Sequence, residues 1–187
     1  MVITSNFHLY ADDLQLYRHF KLSEVDSAIE AMNRDLGGVD EWAKSFGLQI
    51  NPLKSKAMII GGRFYRNALS ISALDPLILN GNVIPYTDVA KNLGVFINSN
   101  LSWGEQVNEI SRKVHFSLHS LKRLQSLLPL KTRINLMQSL IRPLIDYADA
   151  CYLDATEELL NKLERLQNVY ISIALLTPTE GTTHIPM

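Results

Sequence analysis

The stretch FHLYADDLQLYRHF, residues 7–20, decides how the chain is read. Phe7, Leu9 and Ala11 alternate with His8, Tyr10 and Asp12, and beyond the acidic pair Leu14 and Leu16 alternate with Gln15 and Tyr17. A period of two marks extended chain, so the stretch predicts two strands joined at Asp12-Asp13. Asp tolerates the conformations that a two-residue connection demands, although Asn-Gly or Asp-Gly is the usual choice. Two like charges side by side are unfavourable unless a cation lies between them. Mg²⁺ is such a cation, commonly held by one or two carboxylates together with substrate phosphates. An ordinary surface turn is the alternative use of an Asp-Asp pair.

Downstream, Leu22, Val25, Ile29, Met32, Leu36, Val39, Trp42 and Phe46 recur at steps of three and four, the apolar stripe of an amphipathic helix. Ser23 and Asp26 resemble a capping box, Gly37-Gly38 is a place to bend the helix, and Gly47 is placed to end it. The acids Asp26, Asp35, Asp40 and Glu41 read as its solvated side. Ala57 to Ile60 predicts a short buried strand, LILNGNVIPY a second hairpin turning at Asn80-Gly81, and KNLGVFIN another strand. From Trp103 the period becomes helical. Val107, Ile110, Val114, Leu118 and Leu121 form one stripe; Ile134, Met137, Leu140 or Ile141, and Leu144 form a second; Leu159, Leu163, Leu166, Tyr170 and Ile173 form a third. Pro129 separates the first two, and Pro143 kinks or ends the second. Strands followed by helices predict an α+β unit and then a helical subdomain.

The chain has 187 residues, 47% of them hydrophobic and 20% charged, with no long Gly, Ser or Pro tract, which argues against disorder through most of its length. Only TPTEGTTHIPM, residues 177–187, reads as a flexible tail. The net charge of -1 hides an asymmetry: residues 1–60 carry eight acids and six bases. Residues 105–142 carry Arg112, Lys113, Lys122, Arg123, Lys131, Arg133 and Arg142 against Glu105 and Glu109, an excess suited to a phosphate backbone or to a solvated helix face. One cysteine, Cys151, excludes an internal disulfide. No apolar run reaches the ~18 residues of a membrane span and no signal-peptide pattern opens the chain, so an intracellular protein is expected, nucleus or cytoplasm undistinguished.

Tyr10-Ala11-Asp12-Asp13 between two alternating apolar runs resembles the YxDD box of reverse transcriptases, and FHLYADDLQLY resembles its form in non-LTR retrotransposons of the jockey type. The resemblance continues in order through WAKSFGLQINPLKSKAMIIG, VAKNLGVFINSNLSW, LIRPLIDYADACY and LNKLERLQN. It implies a C-terminal portion of an RNA-directed DNA polymerase: residues 1–102 a partial palm and residues 103–176 a helical, thumb-like region. It further implies that Asp12 and Asp13 are metal and catalytic residues working with Mg²⁺. Asn51, Lys54 and Lys56 would lie near the incoming nucleotide, and Asn92, Leu93 and Gly94 would form a primer grip. Arg112, Lys113, Lys122, Arg123, Lys131 and Arg133 would contact the nucleic-acid backbone. The implied partners are an RNA template, a DNA primer and deoxynucleoside triphosphates.

Two departures accompany the likeness. Asn98 stands where the family usually has an acid, and VYISIALL, residues 169–176, is apolar where the family tends to be basic. A two-metal site also needs a further carboxylate from an upstream strand, and eleven residues precede Asp12. The chain alone is therefore expected to be catalytically incomplete, with open strand edges that invite a protein partner. The competing reading is a non-enzymatic nucleic-acid-binding module, or a retroelement relic without function. A second Tyr-Ala-Asp, Tyr147 to Asp149, falls in a helical period and reads as structural, with Tyr147 near the core. His115 and His119 lack acidic or cysteine partners for a metal site.

Overall fold

Cross-strand pairing of apolar side chains sets the first element. In the computed structural model, which describes residues 3–69, 73–124, 126–147, 149–152 and 154–175, β1 (Asn6–Tyr10) and β2 (Asp13–Tyr17) form an antiparallel hairpin. Phe7 faces Leu16 and Leu9 faces Leu14, so four apolar side chains share one face. The connection is Ala11-Asp12, and Asp13 already pairs with Tyr10. A turn at Asp12-Asp13, as the sequence predicts, would set Phe7 opposite Arg18 and leave Leu14 facing only the small Ala11, and cross-strand pairs are what hold a register.

The chain then enters α1 (Val25–Ser45) through a short 3₁₀ turn at Leu22–Glu24. The cap is not the expected Ser23/Asp26 box: the Glu24 carboxylate accepts from the Lys21 N–H at 3.2 Å. Helix α1 runs unbroken through Gly37-Gly38. It ends at Gly47, whose φ of 69° lets the Leu48 N–H reach back to the Ala43 carbonyl at 2.9 Å. Its buried face is Ala28, Ile29, Ala31, Asp35, Val39 and Ala43, while Trp42 and Phe46 are exposed, so the stripe is rotated from the one expected toward its smaller residues.

Helix α1 packs on β3 (Leu77–Leu79), which pairs with β4 (Asn82–Ile84) across Asn80-Gly81. Both turn residues have positive φ, 50° and 73°, as a type I′ connection requires. Ala57, Leu79 and Ile84 form a small core here with Leu36, Ile50, Leu77 and Tyr86. The strand expected at 57–60 is reduced to one parallel bridge, Ala57 to Tyr86. Gly61-Gly62 follow at once, which shortens any strand here. A short helix, α2 (Arg63–Ala68), precedes β3, and β5 (Val89–Asn92) pairs with β6 (Val95–Asn98). Among the described residues the strands form three separate two-stranded antiparallel sheets.

The chain divides into two compact units, Met1–Leu101 and Ser102–Met187. The second contains α3 (Gly104–Arg123), α4 (Leu130–Leu140), α5 (Arg142–Asp146) and α6 (Glu157–Leu175). Its core is Ile110, Val114, Leu118, Leu121, Met137, Ile141 and Leu166. Thus Ile141, not the exposed Leu140, completes the second stripe. Pro129 caps α4, and Pro143 sits in the first turn of α5. Tyr147 is 54% exposed beyond the end of α5, which corrects its reading as a core residue: the helix stops at Asp146 and the backbone there is extended. The tail at 177–187 lies outside the described residues.

The β5–β6 turn is Leu93-Gly94, again with both φ values positive, 45° and 85°. Leucine in the left-handed region costs about 1–2 kcal/mol. Leu93→Asn keeps the turn type with a residue suited to it and should raise the stability of the first unit by roughly 0.5–1 kcal/mol, measured by urea unfolding. An unchanged or lower midpoint would count against strain at Leu93.

Candidate active site

The acidic pair stands at the far end of the β1–β2 hairpin. Ala11, the first connecting residue, has φ of 52°, and Asp12 follows in the turn; both carboxylates are solvent-exposed. Asp13 pairs with Tyr10 and shares its face with His8, Gln15 and Tyr17. There the His8 and Tyr17 rings stack at 5.2 Å, and the Tyr17 hydroxyl lies 3.2 Å from His8 Nε2. The opposite face carries Phe7 and Leu9, 54% and 63% exposed, beside an exposed Leu14 and a half-buried Leu16, and none of the four belongs to either apolar core cluster.

Polar contacts seat it instead. Gln15 Nε2 donates to Asn92 Oδ1 at 2.9 Å, joining the hairpin to β5, 77 residues away in sequence. Asn92, Leu93 and Gly94 are thereby brought to the side of the hairpin that carries Asp13. The other sequence-derived candidates are not drawn in. Asn51 uses its side-chain oxygen to cap a 3₁₀ turn, Pro52–Lys54, accepting from the Leu53 N–H at 3.0 Å. Lys54 and Lys56 are exposed, with no polar side-chain contact to the hairpin among the described residues.

At the hairpin base lies a residue that the sequence reading misassigned. Asp35 is 3% exposed on the buried face of α1, not solvated. Its Oδ1 accepts from the Thr4 N–H at 2.9 Å, and its Oδ2 accepts from the Ser5 N–H at 2.7 Å and the Thr4 hydroxyl at 3.1 Å. Arg18, just past β2, donates to Thr4 Oγ1 at 3.0 Å and Ser5 Oγ at 3.3 Å, with Asp35 Oδ2 4.0 Å away. Both ends of the hairpin therefore meet at one carboxylate. Burial pushes the Asp35 carboxyl up, but the hydrogen bonds from Ser5 and Thr4 outweigh it and hold it below the usual carboxylate value. The signal for it was phase: Asp35 is four residues from both Ala31 and Val39, in register with the buried stripe.

In the helical unit, Arg112 makes two 2.8 Å hydrogen bonds to the Glu109 carboxylate, and Lys113 lies 3.5 Å from it. The guanidinium of Arg112 holds Glu109 at a pKa of about 2. Lys122, Arg123 and Lys131 are exposed and form no ion pair among the described residues. Arg133 is 5% exposed on the inner side of α4, which corrects its place among phosphate contacts: a buried guanidinium cannot meet a phosphate at the surface.

Asp12 and Asp13 fit a hard divalent ion in the kind of donor they present, charged oxygens open to solvent and substrate. Among the described residues no group of three or more His, Cys, Asp or Glu is placed to hold a metal, and no helix is long and apolar enough to cross a membrane. No family model matches the chain, and no solved structure does. It is similar to the RNA-directed DNA polymerase from mobile element jockey of Drosophila melanogaster, 22% identical over 161 residues, 84% of this chain and 17% of that protein. The similarity supports a reverse-transcriptase relationship, with the chain spanning about a sixth of that polymerase.

Asp35 carries a pH signature. A carboxyl whose folded value lies below its unfolded value near 3.9 stabilises the fold above that range and loses the contribution as pH falls through the folded value. Asp35→Ala strands the Thr4 and Ser5 N–H groups and should cost about 2–4 kcal/mol at pH 7. Asp35→Asn should flatten the acid limb of the stability profile below about pH 4; an acid limb identical to wild type would show that Asp35 is not its source.

Proposed function

We propose that this chain is the part of a reverse transcriptase that carries the metal-binding hairpin and the thumb-like helices, acting in RNA-templated transfer of deoxynucleotides to a primer 3′-hydroxyl. The observation that carries the reading is the convergence of two separated motifs: the YADD hairpin, acids at its tip, is hydrogen-bonded through Gln15 to Asn92. Asp12 and Asp13 would hold Mg²⁺, which would supply Lewis-acid stabilisation of charge to phosphoryl transfer. Asn92 and the Leu93-Gly94 turn would hold the primer end, and the exposed Lys122, Arg123 and Lys131 would neutralise backbone phosphates without reading sequence.

Among the described residues no third acid joins Asp12 and Asp13 in a metal-holding group, and on this reading a further carboxylate completes the site. In a primer-extension assay with Mg²⁺ or Mn²⁺ on a primed RNA template, this chain alone should incorporate nothing above an Asp12→Ala control. Incorporation abolished by Asp12→Ala would show that the chain completes its own site.

A nucleic-acid-binding module is the second reading, favoured by Lys122 and Arg123 at the end of α3, exposed and without an ion pair among the described residues. By fluorescence anisotropy, the affinity for a primer–template duplex should fall with salt, and Lys122→Ala with Arg123→Ala should lower the log–log slope by about 2, near 1 per lost phosphate contact. A slope unchanged in the double variant would remove these residues from the interface.

A further inference from the structure

The geometry points to Asp35 as the positioning residue of the metal-binding hairpin, a role that rests on the reading of Asp12 and Asp13 as metal ligands. Each strand of the hairpin has five residues, which at about 3.3 Å per residue places the acids roughly 17 Å from the Asp35 anchor. A hairpin of that length acts as a lever: a tilt of about 5° at its base moves the tip by about 1.5 Å. Mg²⁺ demands near-ideal octahedral geometry at about 2.0–2.1 Å; Asp12 and Asp13 share the tip and move together, so a displacement of that size carries both away from any ligand that lies off the hairpin. With Phe7 and Leu9 exposed, apolar contact does not resist the tilt. The resistance comes from the Asp35 carboxylate, bonded to Thr4 and Ser5 ahead of β1, and from Arg18 after β2, which is bonded to the same two residues. Both strand ends are thereby fixed to α1, and the orientation of the tip follows. Gln15 and Asn92 give the hairpin a second hold nearer the tip.

The test uses the full chain with Mn²⁺ as probe, its affinity measured by electron paramagnetic resonance, alongside amide hydrogen exchange. Wild type should bind Mn²⁺ and Asp12→Ala should lose that binding. Asp35→Asn should weaken Mn²⁺ three- to tenfold and speed exchange at residues 4–18, while exchange in β3–β4 stays within twofold. Thr4→Val, which removes one hydroxyl and keeps both N–H groups, should shift both readouts the same way by less and serves if Asp35→Asn does not fold. Mn²⁺ affinity and hairpin exchange unchanged in Asp35→Asn and Thr4→Val would overturn the positioning role, as would loosening of β3–β4 in parallel with the hairpin. Absence of Asp12-dependent Mn²⁺ binding in wild type would instead overturn the metal-site reading, and the hairpin exchange rates would then decide whether Asp35 anchors it.

Discussion

A single buried carboxylate governs the first unit. Asp35 sits on the face of α1 where an apolar residue would ordinarily pack, and its lone pairs are spent on the chain just ahead of β1. Two residues earlier on the same helix, Asn33 donates to the Pro76 carbonyl at 3.0 Å and accepts from the Ile78 N–H at 2.8 Å. Helix α1 thus holds the first hairpin through Asp35 and the second through Asn33, and Gln15 links the first hairpin to the third through Asn92. Among the described residues each sheet has only two strands, and an isolated two-stranded hairpin is marginal in water. The side-chain hydrogen bonds from α1 and between hairpins supply what a wider sheet would otherwise provide.

What could be read from sequence follows the strength of the local signal. The period-two alternation of residues 7–17 and the Asn80-Gly81 turn are local devices, and both hairpins stand where they point. The stripe from Val107 to Leu121 needs only helix geometry, and all five residues are buried. Failures come where tertiary context chooses between local options. The connection moved to Ala11-Asp12 because pairing Phe7 with Leu16 outweighs the turn preference of Asp. Ala57 to Ile60 stayed a lone bridge, with Gly61-Gly62 following at once. Arg133 and Asp35 share a cause: charge pattern places both outside, whereas phase with the apolar stripe places both inside.

The candidate site was legible in part for the same reason. Asp12 and Asp13 stand out as an adjacent like-charged pair between alternating runs, whereas Asn92 is picked out only by the resemblance of VAKNLGVFINSNLSW to the family. Their meeting through Gln15 spans 77 residues, and no local pattern encodes it. Asp35 was hidden because a helix with acids every few residues reads as solvated, and only the small residues around it, Ala28, Ala31 and Ala43, disclose a face that approaches other backbone closely.

Hydrogen bonds suit an anchor of this kind better than apolar contact would. Apolar packing is non-directional and roughly proportional to area, so a hairpin held that way slides or rocks at little cost until contacts are lost. A carboxylate taking two consecutive N–H groups and a hydroxyl fixes angles as well as distances, because such bonds weaken steeply away from linearity. A divalent ion held at the far end of the hairpin, as proposed, would impose an angular requirement of its own there. The constraint at Asp35 and the demand at Asp12 and Asp13 are of the same kind. The two strands, rigid by pairing and free of a seat in any apolar core, transmit one to the other.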